Sequence, residues 1–88
     1  MNVNVLFFGR FRELAVRDQV VSLKEGGRLD DLLEHLRQEY GDDFRDEVNN
    51  KEQVHILVNG QFHNILEDMK TQLKDGDVVV LMPLATGG

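Results

Sequence analysis

The chain contains no cysteine, only one proline and no long hydrophobic run. Without cysteine it can form neither a disulfide nor a thiolate metal site, and any sulfur that it handles must come from another molecule. No stretch approaches the roughly 20 apolar residues that a membrane span requires, and residues 1–4 lack the basic and apolar regions of a targeting segment. We therefore expect a cytoplasmic protein that does not bind a membrane.

Positive charge is also scarce. Ten basic side chains stand against sixteen acidic ones, which gives a formal net charge of −6. That charge repels nucleic acid, so no nucleic-acid partner is expected. The acidity either favours a partner with a basic surface or simply keeps a small protein soluble.

What the chain does contain is typical of one folded domain. Of its 88 residues, 41% are hydrophobic and 30% are charged, a balance that disfavours disorder. The length leaves room for a single core. We predict a domain over residues 1–83 and a flexible C-terminal tail over residues 84–88.

Five short segments have the composition of β-strands. In the first, residues 3–8, the side chains of Val3, Val5 and Phe7 are expected to face the core, which places Leu6 and Phe8 on the opposite side of the sheet. The other four segments are residues 19–23, residues 54–58, a short edge strand over residues 61–65, and the strongly apolar residues 78–82. Asn59-Gly60 and residues 74–77 are turn signals between strands, and Pro83 is expected to end the last strand.

Residues 29–40 predict the main helix. Its apolar positions follow one helix face and are Leu29, Leu32, Leu33, Leu36 and Tyr40. Asp30 and Asp31 fall in the first turn, where carboxylates complement the helix dipole. Gly41 is a stop signal after the last helical residue, and Gly27 is the expected N-cap.

Two other segments lack a clear strand or helix pattern. Residues 10–15 suit a loop or one helical turn. Residues 42–53 are expected to form a long irregular connection, with Phe44 and Val48 as anchors.

The order of these elements favours an α+β fold of the β-grasp, ubiquitin-like type. The first two strands can form a hairpin, and the last strand is apolar enough to lie centrally, beside the first. We predict a mixed sheet of four to five strands with one main helix packed on one face. The same string of elements could also close as another α+β sandwich.

Four segments together resemble one known family. They are Val5-Leu6-Phe7-Phe8-Gly9-Arg10-Phe11-Arg12-Glu13-Leu14, Val58-Asn59-Gly60, Leu73-Lys74-Asp75-Gly76-Asp77-Val78-Val79 and the terminal Gly87-Gly88. Over nearly the whole chain they resemble the MoaD/ThiS family of ubiquitin-like sulfur carriers, and most closely the molybdopterin synthase small subunit. Pro83-Leu84 departs from the Pro-Pro that usually precedes the tail in molybdopterin carriers, which weakens the assignment to that branch.

The resemblance implies that the reactive group is the C-terminal carboxylate of Gly88. An E1-like activating enzyme of the MoeB/ThiF type would adenylate it with ATP, and a sulfur donor such as a cysteine desulfurase would supply the sulfur of a thiocarboxylate. The sulfur would then pass to a pterin precursor on the large, MoaE-type subunit of molybdopterin synthase. The chain would be no enzyme by itself and would bind no cofactor permanently. Gly87 and Gly88 suit this chemistry because a tail without side chains can thread a narrow channel.

The resemblance also implies a hydrophobic patch, formed by Phe8, Phe62 and Met82, that docks both the activating enzyme and the large subunit. Thr86 is assigned to partner binding as well. An exposed apolar cluster beside a reactive tail is also what a protein interface requires. Each of the three patch residues could instead close the core of a very small domain.

Several other side chains have less specific roles, and the tail is compatible with other functions. Arg10 and Arg12 are expected to be solvated charges or to pair with acidic groups of a partner, and His35, His55 and His63 lack the spacing of a metal site. The same tail could serve a ubiquitin-like modifier that forms isopeptide bonds through Gly88. It could also serve a sulfur carrier for thiazole synthesis or tRNA thiolation, or be the inert end of an interaction domain.

Overall fold

The computed structural model describes residues 1–14, 17–49, 54–63 and 68–83, so the predicted tail lies outside the described residues. Three helices and five strands lie within these ranges. The strands are β1 (Asn2–Phe7), β2 (Gln19–Ser22), β3 (Val54–Val58), β4 (Gln61–His63) and β5 (Val78–Pro83), and the helices are α1 (Arg10–Glu13), α2 (Leu29–Tyr40) and α3 (Asp42–Asn49).

The strands form one mixed sheet in the order β2-β1-β5-β3-β4. β1 and β5 pair in parallel, and the other neighbours pair antiparallel. The predicted central position of β5 beside β1 is confirmed, as is the edge position of β4 over residues 61–63, while residues 64 and 65 of that predicted strand lie outside the described residues. Pro83 belongs to β5 rather than following it. This arrangement is the predicted β-grasp fold.

The core lies between one face of the sheet and the helices. Val3, Val5 and Phe7 are all fully buried, as the alternation along β1 predicts. α2 contributes its predicted apolar face, with Leu29, Leu32, Leu33 and Leu36 buried. Burial of each such side chain stabilises the fold by roughly 1.5–3 kcal/mol.

Four aromatic rings form a cluster in this core. The Phe7 ring lies 6.1 Å from the rings of Phe11 and Phe44, measured between centroids, and 6.3 Å from the ring of Tyr40. These separations are typical of tilted and edge-to-face packing. The cluster joins the end of β1 to all three helices.

The prediction of a long irregular connection after α2 was wrong for residues 42–49, which form α3. Phe44 and Val48 are buried, as expected, and they lie one helical turn apart on the same face. Asp42 and Asp43 occupy the first turn, where their charges complement the helix dipole. The predicted single main helix is therefore accompanied by α3 and by the short α1.

The predicted N-cap of α2 was also wrong, because Arg28 and not Gly27 precedes the first helical residue. The Arg28 N–H donates to the Asp31 carboxylate at 2.8 Å. The Leu29 N–H donates to the Thr71 carbonyl at 2.9 Å, and the Asp30 N–H donates to the Met69 carbonyl at 3.0 Å. A segment distant in sequence thus satisfies the helix N-terminus in place of a side-chain cap.

The same contact region contains an exposed ion pair. Lys70 Nζ lies 2.9 Å from Asp30 Oδ2. The hydrogen bond from this ammonium group favours the ionised carboxylate and lowers the pKa of Asp30 below its usual value.

None of the helices within the described ranges is long and apolar enough to cross a membrane.

Candidate functional site

The side of the sheet that faces away from the helices is called the open face here. Alternation along the strands assigns to it Asn2, Asn4, Leu6, Val20, Ser22, His55, Leu57, Phe62, Val78, Val80 and Met82. Val20 and Phe62 are 60% and 55% exposed, whereas most of the others are half-buried. Among these strand residues none carries a charge unless His55 is protonated. The open face is therefore a neutral, largely apolar surface.

The three predicted docking residues lie at one end of this face. Phe8 follows β1 and is 46% exposed, and its N–H donates to the Leu81 carbonyl at 3.0 Å. The β1–β5 register pairs Phe7 with Leu81, so its continuation places Phe8 next to Met82. Met82 in turn pairs with His55 on β3. Phe8 and Phe62 are thus exposed rather than used to close the core, while their role in docking stays a prediction.

His55 connects the two sides of this patch. Its ring meets the Phe62 ring edge-on, with centroids 4.9 Å apart and an interplanar angle of 78°. Sequence reasoning considered His55 only as a metal ligand and missed this position. The alternation of Val54, His55 and Ile56 was the available signal, because it assigns the central residue to the open face. Phe8, Met82, His55 and Phe62 are called the docking patch below.

The docking patch adjoins the strand that leads into the predicted reactive tail. Met82 is followed by Pro83, the last residue of β5, and then by residues 84–88. Thr86, Gly87 and Gly88 lie outside the described residues. Five extended residues span at most roughly 17 Å, so the Gly88 carboxylate can lie no farther than about that distance from Pro83. A protein that covers the patch therefore has the carboxylate within reach of its own surface.

Two arginines stand near the same end of the sheet, and both have partners within the chain. Arg10 Nε lies 2.9 Å from Glu47 Oε2, and Arg10 Nη1 lies 3.7 Å from Glu13. Arg12 donates to the Asp18 carboxylate. The expectation of simply solvated charges is therefore corrected, although both side chains remain more than half exposed.

The three histidines stand on separate elements, α2 for His35, β3 for His55 and β4 for His63. His35 lies 3.8 Å from Glu39 on the same helix, and His63 Nδ1 lies 3.5 Å from the Thr71 hydroxyl. Within the ranges described above, no three acidic or histidine side chains gather around a common point that could hold a metal ion.

Comparison with known structures finds proteins that resemble this chain over nearly its whole length. A protein from Pyrococcus furiosus described as molybdopterin converting factor subunit 1 is 34% identical, with a TM-score of 0.79 over 94% of this chain and 97% of that one. A chain from the complex of subunits 1 and 2 of molybdopterin-converting factor from Helicobacter pylori is 27% identical, with a TM-score of 0.67 and full coverage of both chains.

A third structure points to another use of the fold. The small archaeal modifier protein 1 from Methanosarcina acetivorans is 27% identical, with a TM-score of 0.73 over 99% of this chain and 96% of that one. A comparison with curated protein sequences gave no significant match.

The model of the ThiS family matches residues 5–88 of this chain. That range includes every segment of the resemblance, the docking patch and the terminal glycines. The chain belongs to the ThiS family of ubiquitin-like sulfur carriers.

Proposed function

We propose that this chain carries sulfur as a thiocarboxylate on Gly88 and donates it in molybdopterin biosynthesis, as the small subunit of molybdopterin synthase. The observation that carries this proposal is the position of the docking patch at the end of β5, immediately before the tail that ends in Gly87-Gly88. The 34% identity to a molybdopterin converting factor subunit supports the choice of acceptor.

The chemistry needs no catalytic side chain from this protein. A carboxylate is a poor electrophile until it is bonded to a good leaving group. The Gly88 carboxylate oxygen attacks the α-phosphorus of ATP, and pyrophosphate leaves. A persulfide sulfur of the donor then attacks the acyl carbon, and AMP leaves with the bonding electron pair. A second thiol, on the donor or on the activating enzyme, reduces the resulting acyl disulfide, which releases the Gly88 thiocarboxylate and leaves a disulfide on that protein. Gly87 and Gly88 present no Cβ to the partner, so the acyl carbon can approach the nucleotide closely.

The partners follow from the same proposal. A MoeB/ThiF-type enzyme would consume ATP, a cysteine desulfurase would supply sulfur, and a MoaE-type large subunit would hold the acceptor. The Helicobacter pylori relative was solved as a complex of subunits 1 and 2, which supports docking to a large subunit. The apolar patch supplies the type of surface that becomes the buried centre of such interfaces.

A second function is supported by the modifier protein among the structural relatives. The same activated carboxylate could be attacked by a lysine amine, giving an isopeptide bond through Gly88. A remnant of residues 75–88, joined through Gly88 to lysines of other proteins, would favour the modifier. Digestion with trypsin of proteins from cells that express the chain would leave this remnant, because Lys74 is the last basic residue before the tail. Sulfur transfer to thiazole or tRNA acceptors would use the same tail.

Intact-protein mass spectrometry tests the proposal directly. The chain is incubated with ATP, a sulfur donor and a MoeB-type activating enzyme, and a mass gain equal to the exchange of one oxygen for one sulfur is expected. Omission of ATP is the control and should abolish the gain. Transfer of that sulfur to a pterin precursor by a MoaE-type subunit supports the molybdopterin role, whereas a chain that never gains sulfur contradicts the carrier function.

The docking patch gives a second measurable expectation. His55→Glu should weaken binding to the large subunit at least tenfold, because docking would bury an unpaired carboxylate among apolar side chains. His55→Leu should bind about as well as the unchanged protein. Titration calorimetry measures both affinities.

The matched control is His35→Glu, which makes the same change on α2, where His35 is about half exposed. It should leave the affinity unchanged. Equal losses for the two glutamate variants would indicate a general effect of added negative charge and would contradict a role for the patch.

A further inference from the structure

β1 is longer than the strand that covers its outer edge. The β1–β2 register ends where Val5 pairs with Gln19, so Phe7 has no strand partner on that edge. Its N–H and C=O groups would then be left to water at the position immediately before Phe8. Unpaired ends of strands fray, because nothing fixes their backbone.

Two side chains replace the missing strand partner. The Phe7 N–H donates to Asp18 Oδ1 at 2.9 Å, and Arg12 Nε donates to the Phe7 carbonyl at 2.8 Å. Arg12 Nη2 also donates to Asp18 Oδ2 at 2.9 Å, which joins the two side chains. We call this arrangement the Arg12–Asp18 clamp. It satisfies both outward backbone groups of Phe7, as a paired strand residue would.

The opposite edge of the same segment is held by β5. The Phe8 N–H donates to the Leu81 carbonyl at 3.0 Å, and Leu81 immediately precedes Met82. The peptide between Phe7 and Phe8 therefore has the clamp on one side and the tail-bearing strand on the other. Because the Phe8 side chain is 46% exposed, its own packing fixes it less firmly than burial would.

We propose that the Arg12–Asp18 clamp is a positioning device for docking, which holds the end of β1 so that Phe8 stays in register with Met82 before a partner arrives. The inference deepens the proposed function, since it rests on docking through this patch. Docking costs the entropy of ordering each interface side chain, and a surface ordered in advance avoids part of that cost. Arg12 and Asp18 act through the Phe7 backbone and need not touch the partner.

Arg12→Met tests the clamp, and Arg10→Met is its matched control. Both arginines lie on α1 and both pair with carboxylates, and Arg12 in addition donates to the β1 backbone. Arg12→Met should weaken binding to a MoaE-type subunit by about five- to tenfold, in the range that loss of preorganisation produces. Asp18→Ala should have a similar effect. Arg10→Met should bind as the unchanged protein does. The thermal midpoints of Arg12→Met and Asp18→Ala should change little because these side chains are about half exposed, whereas Arg10→Met should lower the midpoint because it leaves the largely buried Glu47 carboxylate unpaired.

A double-mutant cycle separates positioning from direct contact. In a Phe8→Ala background the clamp has no aromatic ring left to position, so Arg12→Met should cause little further loss of affinity. A loss as large as in the original background would mean that Arg12 contacts the partner itself or acts elsewhere, and it would overturn the inference. Arg12→Lys, which cannot make the paired Nε and Nη2 bonds, should not restore binding.

Amide hydrogen exchange on the chain alone provides a readout that does not depend on any partner. Exchange at Phe7 and Phe8 should accelerate several-fold in Arg12→Met and stay unchanged in Arg10→Met. Unchanged exchange in Arg12→Met would overturn the clamp whether or not a partner binds. Failure of the unchanged protein to bind the large subunit would instead count against the proposed function.

Discussion

A chain that ends at Gly87 should gain no measurable sulfur under conditions that convert the full chain. The folded domain would be the same in both chains. The terminal carboxylate of the shorter chain, however, would reach about 3.4 Å less far from the domain, because the tail has one residue fewer. A displacement of even 1 Å between reacting groups can cost roughly 100-fold in rate. Intact-protein mass spectrometry over a time course measures the conversion of both chains.

Two companion measurements make the truncation interpretable. Removal of Gly88 takes nothing from the described sheet, which ends at Pro83, so the thermal midpoint should stay unchanged. Gly88→Ala keeps the length of the tail but adds a Cβ at the reacting residue, and it should be converted more slowly than the full chain. Conversion of the truncated chain at the normal rate would show that Gly88 is not the acceptor of sulfur.

Phe7→Ala should destabilise the fold by about 3–5 kcal/mol, the usual cost of truncating a buried phenylalanine. Phe7 is fully buried and packs against the rings of Phe11, Tyr40 and Phe44. Small domains have total stabilities of about 5–15 kcal/mol, so this single change removes a large share. Chemical denaturation, followed by circular dichroism, measures the free energy of unfolding.

The neighbouring Phe8→Ala is the natural control, since it makes the same chemical change on the opposite side of the sheet. With 46% of its surface exposed, Phe8 should contribute much less to stability. Its loss should instead weaken docking by at least about 30-fold, the effect of removing a central aromatic contact worth roughly 2 kcal/mol. If the two variants lost stability equally, Phe8 would be a core residue, and this result would contradict its assignment to the docking patch.

The contrast between these two phenylalanines was predictable from sequence because strand alternation is a local property. Val3 and Val5 share the parity of Phe7, and that pattern alone assigns Phe8 to the other face. The central position of β5 was also predictable, since its run of valines suits a strand with neighbours on both sides. The same alternation identifies His55 on the open face, although it was first considered only as a ligand.

Other features depend on contacts between distant residues and could not be read from the local pattern. α3 is strongly charged, and Phe44 and Val48 stabilise it only because a core is present to receive them. The first two N–H groups of α2 donate to carbonyls of residues 71 and 69, contacts that no local sequence pattern indicates. The role of Arg12 follows from the difference in length between β1 and β2. The tail residues that carry the proposed chemistry lie outside the described residues, and their roles stay predictions.

The central position of β5 has a mechanical consequence. A partner that draws the tail into its own site pulls along the axis of this strand, which is hydrogen-bonded to β1 on one side and to β3 on the other. Because ladder hydrogen bonds run across a strand, such a pull loads many of them at once in shear instead of opening them one by one. A partner could therefore apply force to the predicted reactive tail without unfolding the domain, because that force would be shared by the hydrogen bonds of two strand pairs.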